Sequence, residues 1–257
     1  MAAFATMRPR NRAATPVRRL PWRQIGQHAL LLLVLGGMVA LLAWGWRTLH
    51  DPWTFPIRLV KVDGELQRLS PAAVQAAVDN RLNGMSFFGL DLDGVLEGLR
   101  GLAWVREARV RREWPDTLHL WVEEHTPLAL WRGDGVLTAD GTLIYPGGLD
   151  ELGALPALSG ADGRELWLWG RFSALRRQLA QVGLRPRALR EDQRGSLTVV
   201  LDNGTAIRMG RVDTEERMRR FLDVFDKTLA GRIDEVDEVD LRYAHGFSVR
   251  WKTSSRG

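Results

Sequence analysis

One stretch limits this chain more than any other: residues 29–46 read ALLLLVLGGMVALLAWGW, 18 positions without a charge. Wound as an α-helix at ~1.5 Å per residue, it spans roughly 27 Å, about the hydrocarbon thickness of a bilayer. Ala29, Leu30 and Leu35 lie in its apolar body; Trp44 and Trp46 stand at its far end, with Trp22 near its start. Indole rings favour the headgroup level, so the pattern predicts a membrane anchor over residues 29–47. Arg8, Arg10, Arg12, Arg18, Arg19 and Arg23 precede it, and the first acidic residue is Asp51. Positive flanks stay inside, which predicts a cytoplasmic basic tail over 1–28 and export of everything from about residue 50. A cleaved signal peptide would have a shorter apolar core and a small-x-small site behind it, whereas Trp44, Trp46 and Arg47 crowd this one. A buried soluble helix is disfavoured because nothing polar interrupts the run.

The formal net charge of +5, taken alone, would point to nucleic acid. Without the six arginines of the tail, however, 30 basic residues face 31 acidic ones. The basicity is an N-terminal address suited to anionic lipid, and no nucleic-acid partner is expected. Cysteine is absent. The exported part therefore relies on packing rather than disulfides, and about 200 residues are enough to bury a core.

Past the anchor, residues 57–62 (IRLVKV) read as a strand ended by the turn pair Asp63-Gly64. Ser70-Pro71 opens a helix with Val74, Ala77, Val78 and Leu82 on one face, closed by Asn83-Gly84. Asp91 opens another, with Leu92, Val95, Leu96 and Leu99 as its apolar stripe. Residues 105–113 make a strand, Pro115-Asp116 a turn, and Leu118, Leu120 and Val122 alternate with His119, Trp121 and Glu123 in the next strand. The order β-α-α-β-β gives a small domain over 57–125, one sheet with two helices on one face.

Residues 128–131 and 136–138 form a hairpin around Gly133-Asp134-Gly135, and 143–145 follow as a short strand. Residues 146–163, rich in glycine, read as a long irregular connection. Phe172, Leu175, Leu179 and Val182 mark an amphipathic helix, and 197–201 and 205–209 flank the hairpin turn Asp202-Asn203-Gly204. Asp213 and Glu216 suit a capping box for a helix with Met218, Phe221, Leu222, Phe225 and Leu229 inward. Strands over 236–243 and 247–251 end the fold. The expected class is α+β: one transmembrane helix, the small domain, a mainly antiparallel β domain with flanking helices over 126–252, and a flexible tail over 253–257.

Little chemistry is legible. Without cysteine there is no thiol nucleophile, and none of the five histidines pairs at ligand spacing. Glu123 and Glu124 project to opposite faces of a strand, a poor geometry for acid–base work. Asp91 and Asp93 suit a helix start. The acidic stretch 234–240 lacks the central glycine and closing glutamate of a calcium loop and reads as the solvated beginning of a strand. Asn203-Gly204-Thr205 fits a glycosylation pattern, though the hairpin turn explains it without glycan. No phosphate loop or Gly-x-Ser-x-Gly occurs. No catalytic residue, cofactor, metal or small-molecule substrate is expected, which leaves surfaces for protein partners. A sheet edge is the candidate, because unpaired N–H and C=O groups accept an added strand. In the last strand Tyr243, Phe247, Val249 and Trp251 share one side, with Ser248 and Arg250 on the other; packing on the preceding helix is the competing use of Phe247 and Val249.

These segments carry a resemblance. Leu59-Val60-Lys61-Val62-Asp63-Gly64, the Ser-Pro helix, Leu90-Asp91-Leu92, the run from Leu102 to Pro115 (LAWVREARVRREWP), the strand from Leu118 to Glu123 and Pro127-Leu128-Ala129 together resemble the polypeptide-transport-associated (POTRA) domain of the FtsQ/DivIB family of bacterial cell-division proteins. Ala103-Trp104-Val105 stands where members often show Pro-Trp-Val. The likeness continues through Asp140-Gly141, the 197–210 hairpin, Arg217, Arg220, Phe221 and Leu222, and Val239-Asp240-Leu241-Arg242-Tyr243 with Trp251, covering roughly residues 8–252.

The resemblance implies a non-enzymatic scaffold of the inner membrane with a cytoplasmic N-terminus, concentrated at the septum. It implies FtsB and FtsL as periplasmic partners beside other divisome proteins. The matching partner-binding positions are Arg242, Tyr243 and Trp251, with His245 in the turn and Phe247, Ser248 and Arg250 on the same strand. The POTRA domain would serve localisation, with Trp104, Val105 and the 109–114 segment as its candidates. Two other classes compete: a POTRA-type chaperone, which needs a barrel or several POTRA repeats, and an anchored cell-wall hydrolase, which needs a catalytic constellation. The chain offers neither.

Overall fold

A computed structural model describes residues 22–244 and 246–253. The arginines at 8–19, His245 and residues 254–257 lie outside the described residues. Two compact units emerge: the anchor with residues 50–56 and 85–89 belongs to one, and 57–84 with the chain from 90 onward to the other.

In the first unit, α1 (Trp22–Leu49) is 28 residues long. Its portion Leu30–Leu49 is long and apolar enough to cross a membrane, and no part of it is buried by protein. Leu30, Leu35, Trp44 and Trp46 all point outward. Such a surface is stable only in an apolar surrounding.

The second unit opens with β1 (Leu59–Asp63), α2 (Pro71–Leu82), α3 (Leu92–Arg100), β2 (Val105–Glu113) and β3 (Thr117–Glu124). The helix starts form as their cap residues dictate: Ser70 accepts from the Ala73 N–H, and Asp91 from that of Asp93. The strands lie in the order β1-β3-β2, β1 parallel to β3 and β2 antiparallel to it. Val74, Val78, Val95 and Leu99 of the helices bury against Ala108, Leu118, Leu120 and Val122 of the sheet. Gly64 has φ near 147°, and a side chain there would collide with the Val122 carbonyl. Glu124 is inward-turned and accepts backbone N–H groups of Gln67, Arg68 and Leu69 at 2.7–3.1 Å. It organises the loop that leads into α2.

The larger sheet is built from β4 (Pro127–Trp131), β5 (Gly135–Thr138), β6 (Leu143–Ile144), β7 (Ala157–Ser159), β8 (Pro186–Glu191), β9 (Leu197–Leu201), β10 (Ala206–Gly210), β11 (Val236–Asp240) and β12 (Ser248–Trp251). α4 (Glu165–Ala180) follows β7, and α5 (Thr214–Thr228) follows β10. The nine strands run in the order β12-β11-β10-β9-β8-β7-β4-β5-β6. Pairing is mainly antiparallel; β4–β7, β7–β8 and β10–β11 are parallel. Leu168, Phe172 and Leu179 of α4 and Met218, Phe221 and Phe225 of α5 fill one core with Trp131, Leu158, Leu189, Val199 and Val239.

Four readings need correction. Residues 146–163 are not merely irregular: they hold a 3₁₀ turn, Leu149–Leu152, and β7, which joins β4 to β8. Three residues are too few to show a period of two, and pairing on both sides supplies what the pattern lacks. No sequence pattern marks β8, where Ala188 and Leu189 are buried in succession instead of alternating. The capping box at α5 does not form. Asp213 is left-handed (φ 53°) and makes no side-chain cap, while Arg171 pairs with Glu215 and donates to Thr214 Oγ1 at 3.3 Å. Finally, the strand expected over 236–243 ends at Asp240, because Arg242 folds back onto that carboxylate.

Trp104 packs with Leu130, Val136, Ile144 and Leu152 in a smaller cluster that links the two sheets. Beside it Asp140, in the β5–β6 turn, accepts from Thr138 Oγ1 (2.6 Å) and Thr142 Oγ1 (2.9 Å) and meets the His125 ring at 3.2 Å. These hydrogen bonds, that of Thr138 foremost, hold its carboxyl well below the usual carboxylate range.

Candidate partner-binding edge

β12 pairs with β11 in antiparallel register (Val239↔Val249, Asp240↔Ser248), with a bulge between Val236 and Glu238. On its other side no strand pairs with it among the described residues. Charge complementarity fixes the pairing from above: Arg250 reaches Asp237 at 2.7 Å and Glu238 at 3.1 Å. Lys252 ties down the end, its backbone N–H donating to Glu235 O (2.7 Å) and its Nζ to Asp234 O (2.8 Å).

Alternation sorts the side chains. Phe247 meets Phe221 edge to face, ring centroids 5.5 Å apart, and Val249 packs on the same core. Ser248 and Arg250 are exposed. Trp251 is 41% exposed, with the Arg232 guanidinium 4.3 Å from its ring centre. A cation over an indole face restrains the ring without covering its edge.

The chain just after β11 is held by a carboxylate of the acidic stretch expected to be solvated. Asp240 is 7% exposed, and Arg242 binds it bidentately, Nη2–Oδ2 2.6 Å and Nε–Oδ1 2.9 Å. Arg242 holds the Asp240 carboxyl below its ordinary value, and the guanidinium is raised in return. The clue was available: residues i and i+2 share one side of an extended chain. Arg220 donates to the Ala244 carbonyl and Arg217 to Met209 O at 2.9 Å. With Asp223, Val224 and Phe247 they line a cleft of about 530 Å³ beside the turn. Tyr243, in the turn rather than on a strand, is 58% exposed. Arg242, Phe247, Ser248, Arg250 and Trp251 thus fall on one turn and edge, though Arg242 is committed to Asp240 and Phe247 faces inward. Among the described residues, no group of three His, Asp or Glu is placed to hold a metal ion.

An apolar helix long enough to cross a membrane, a three-stranded sheet under two helices and a larger open sheet fit a membrane-anchored protein carrying a POTRA-type domain. The POTRA domain family of FtsQ type matches residues 55–125, and the C-terminal family of cell division protein FtsQ/DivIB matches residues 129–242. Cell division protein FtsQ of Allochromatium vinosum is 38% identical over 226 residues, 86% of each chain. Those of Hahella chejuensis and Coxiella burnetii are each 31% identical, over 91% and 86% of this chain and 82% and 90% of their own. The chain belongs to the FtsQ family of bacterial cell-division proteins. Its role lies in cell division among divisome proteins, the family is one of non-enzymatic scaffolds, and α1 fits a single-pass inner-membrane protein.

Proposed function

We propose that this chain is a divisome scaffold that captures FtsB, and with it FtsL, by adding a strand of the partner to the free side of β12. The observation that carries the reading is that edge itself: a four-residue strand with one side unpaired among the described residues, ending in exposed Trp251 and preceded by exposed Tyr243. Backbone groups give such an addition its affinity and the flanking side chains its register. The rings suit the role because large amphipathic aromatics dominate binding energy at interfaces. In this reading the basic tail over 1–28 lies in the cytoplasm, residues 29–47 span the inner membrane, and the POTRA domain over 57–125 directs the protein to the septum. The β domain over 126–252 holds the capture edge, with a flexible tail beyond. The test is a pull-down of the full chain in detergent with the periplasmic segment of FtsB. Tyr243→Ala and Trp251→Ala each reduce capture; undiminished binding in both rules the edge out. A fluorescent fusion that does not gather at midcell rules out the septal role.

A further inference from the structure

The connector behind the anchor and a loop 30-odd residues later meet beside the end of α1. His50 stacks on Trp46, ring centroids 4.3 Å apart. Asp51 accepts the Trp53 N–H and the Thr54 hydroxyl, a tight turn that leaves Trp53 93% exposed. Residues 85–89 return to this turn. The Phe87 N–H donates to Phe55 O at 2.8 Å, Pro56 bridges Ser86, and Phe55 meets Phe88 edge to face at 5.2 Å. Gly89 lies close against His50, so that an added Cβ would stand 3.2 Å from the His50 ring and 2.9 Å from Ser86 Oγ. Phe87 is buried, yet Met85 and Phe88 remain 47% and 41% exposed. Residues 52–56 and 85–89, PWTFP and MSFFG, carry no charge.

We infer that Trp53, Met85 and Phe88 form a second membrane contact, seated in the headgroup layer at the bilayer face where α1 emerges. The inference rests on α1 spanning the bilayer. Depth argues for it. The headgroup layer adds roughly 5–7 Å on each side of the hydrocarbon. From Trp46 to His50 a helix rises about 6 Å. With Trp46 at the hydrocarbon boundary, His50 and the loop packed on it fall inside that layer. The patch continues the apolar surface of α1, and rings of this kind gain most where one side is apolar and the other wet. The ten residues bring no charge to the lipid, and the nearest acid, Asp51, keeps its charge but has both carboxylate oxygens hydrogen-bonded within its own turn.

The absence of native cysteine makes the test direct. Trp53→Cys, Phe88→Cys and, as a reference on an exposed loop, Gln193→Cys carry an environment-sensitive fluorophore. The full chain is reconstituted in liposomes of phosphatidylethanolamine and phosphatidylglycerol. Expected are blue-shifted emission at positions 53 and 88, quenching there by lipids spin-labelled near the headgroup, and loss of quenching by aqueous iodide, with the reverse at 193. Trp53 is so exposed that its replacement removes almost no packing, which guards against a misfolded variant. Iodide quenching at 53 and 88 equal to that at 193, in protein that floats with the liposomes, overturns the inference and leaves the anchor standing. Labels shielded from both quenchers are covered by protein and overturn it as well. Protein that does not float removes the anchor and the inference together.

Discussion

At one edge of the nine-stranded sheet stands β6, two residues long and followed within two positions by Pro146; at the other stands β12, four residues long and paired on one side only. Each edge is steadied by a neighbouring carboxylate, Asp140 in the β5–β6 turn and Asp240 at the end of β11. Asp140 beside β6 is held by two hydroxyls and an imidazole, Asp240 beside β12 by one guanidinium. The short edge has too few backbone groups to template another strand, which is a common protection against unwanted pairing. The long edge keeps its groups free and flanks them with rings. Edge length, rather than apolar content, separates the two.

The largest effect expected of a single change is at the floor of β12. Phe221 is 1% exposed beneath Phe247, so Phe221→Ala costs about 3–5 kcal/mol in urea unfolding. Backbone amides of 248–251 lose hydrogen-exchange protection before those of β6; equal losses at both edges break the comparison. Next, Trp251→Ala and Tyr243→Ala each weaken FtsB binding by about 2 kcal/mol, roughly thirtyfold, in calorimetry. Asp240→Asn leaves Arg242 without its charge partner and costs about 1–2 kcal/mol, the half-exposed guanidinium keeping the loss small. That loss shrinks in high salt, whereas the Asp140 site, held largely by neutral hydroxyls, responds little.

Acid acts on both edges in the same sense. Both carboxyls are depressed in the folded chain, so the unfolded chain takes up protons first as pH falls. Their contribution is complete above the ordinary carboxylate value near 4 and is lost below it, toward the depressed folded values. Asp140→Asn therefore flattens the acid side of the stability curve from about pH 4 downward. A curve as steep as that of the parent chain would deny Asp140 its role. Smallest of all, Tyr145→Ala, exposed at the β6 edge, leaves FtsB binding unchanged.

Legibility in the sequence followed length and isolation. α1 announced itself through 18 uncharged residues, and β2 matched its expected 105–113 span because a turn and a helix stop bracket it. The α2 and α3 caps were equally plain, being local hydrogen bonds between neighbours. β7 was missed because its burial comes from β4, distant in sequence, and β8 because pairing on both sides buries Ala188 and Leu189 in succession, so that no local period reports either. At the candidate edge, Phe247 and Val249 had two open uses, and only the position of Phe221 assigns them inward. Asp240 hid among four other acids within the 234–240 stretch; what singles it out is the arginine two residues on.

β7 has a mechanical consequence. It matches β4 at two positions and β8 at three, and among the described residues it joins β4 to β8 in the larger sheet. A protein tethered at its N-terminal end and gripped at its last strand is a series of links under tension. Whatever pull a partner exerts on β12 crosses those few hydrogen bonds on its way through the ladder toward β4. On the proposed function, a scaffold that gathers partners carries one of its narrowest links inside its broadest layer.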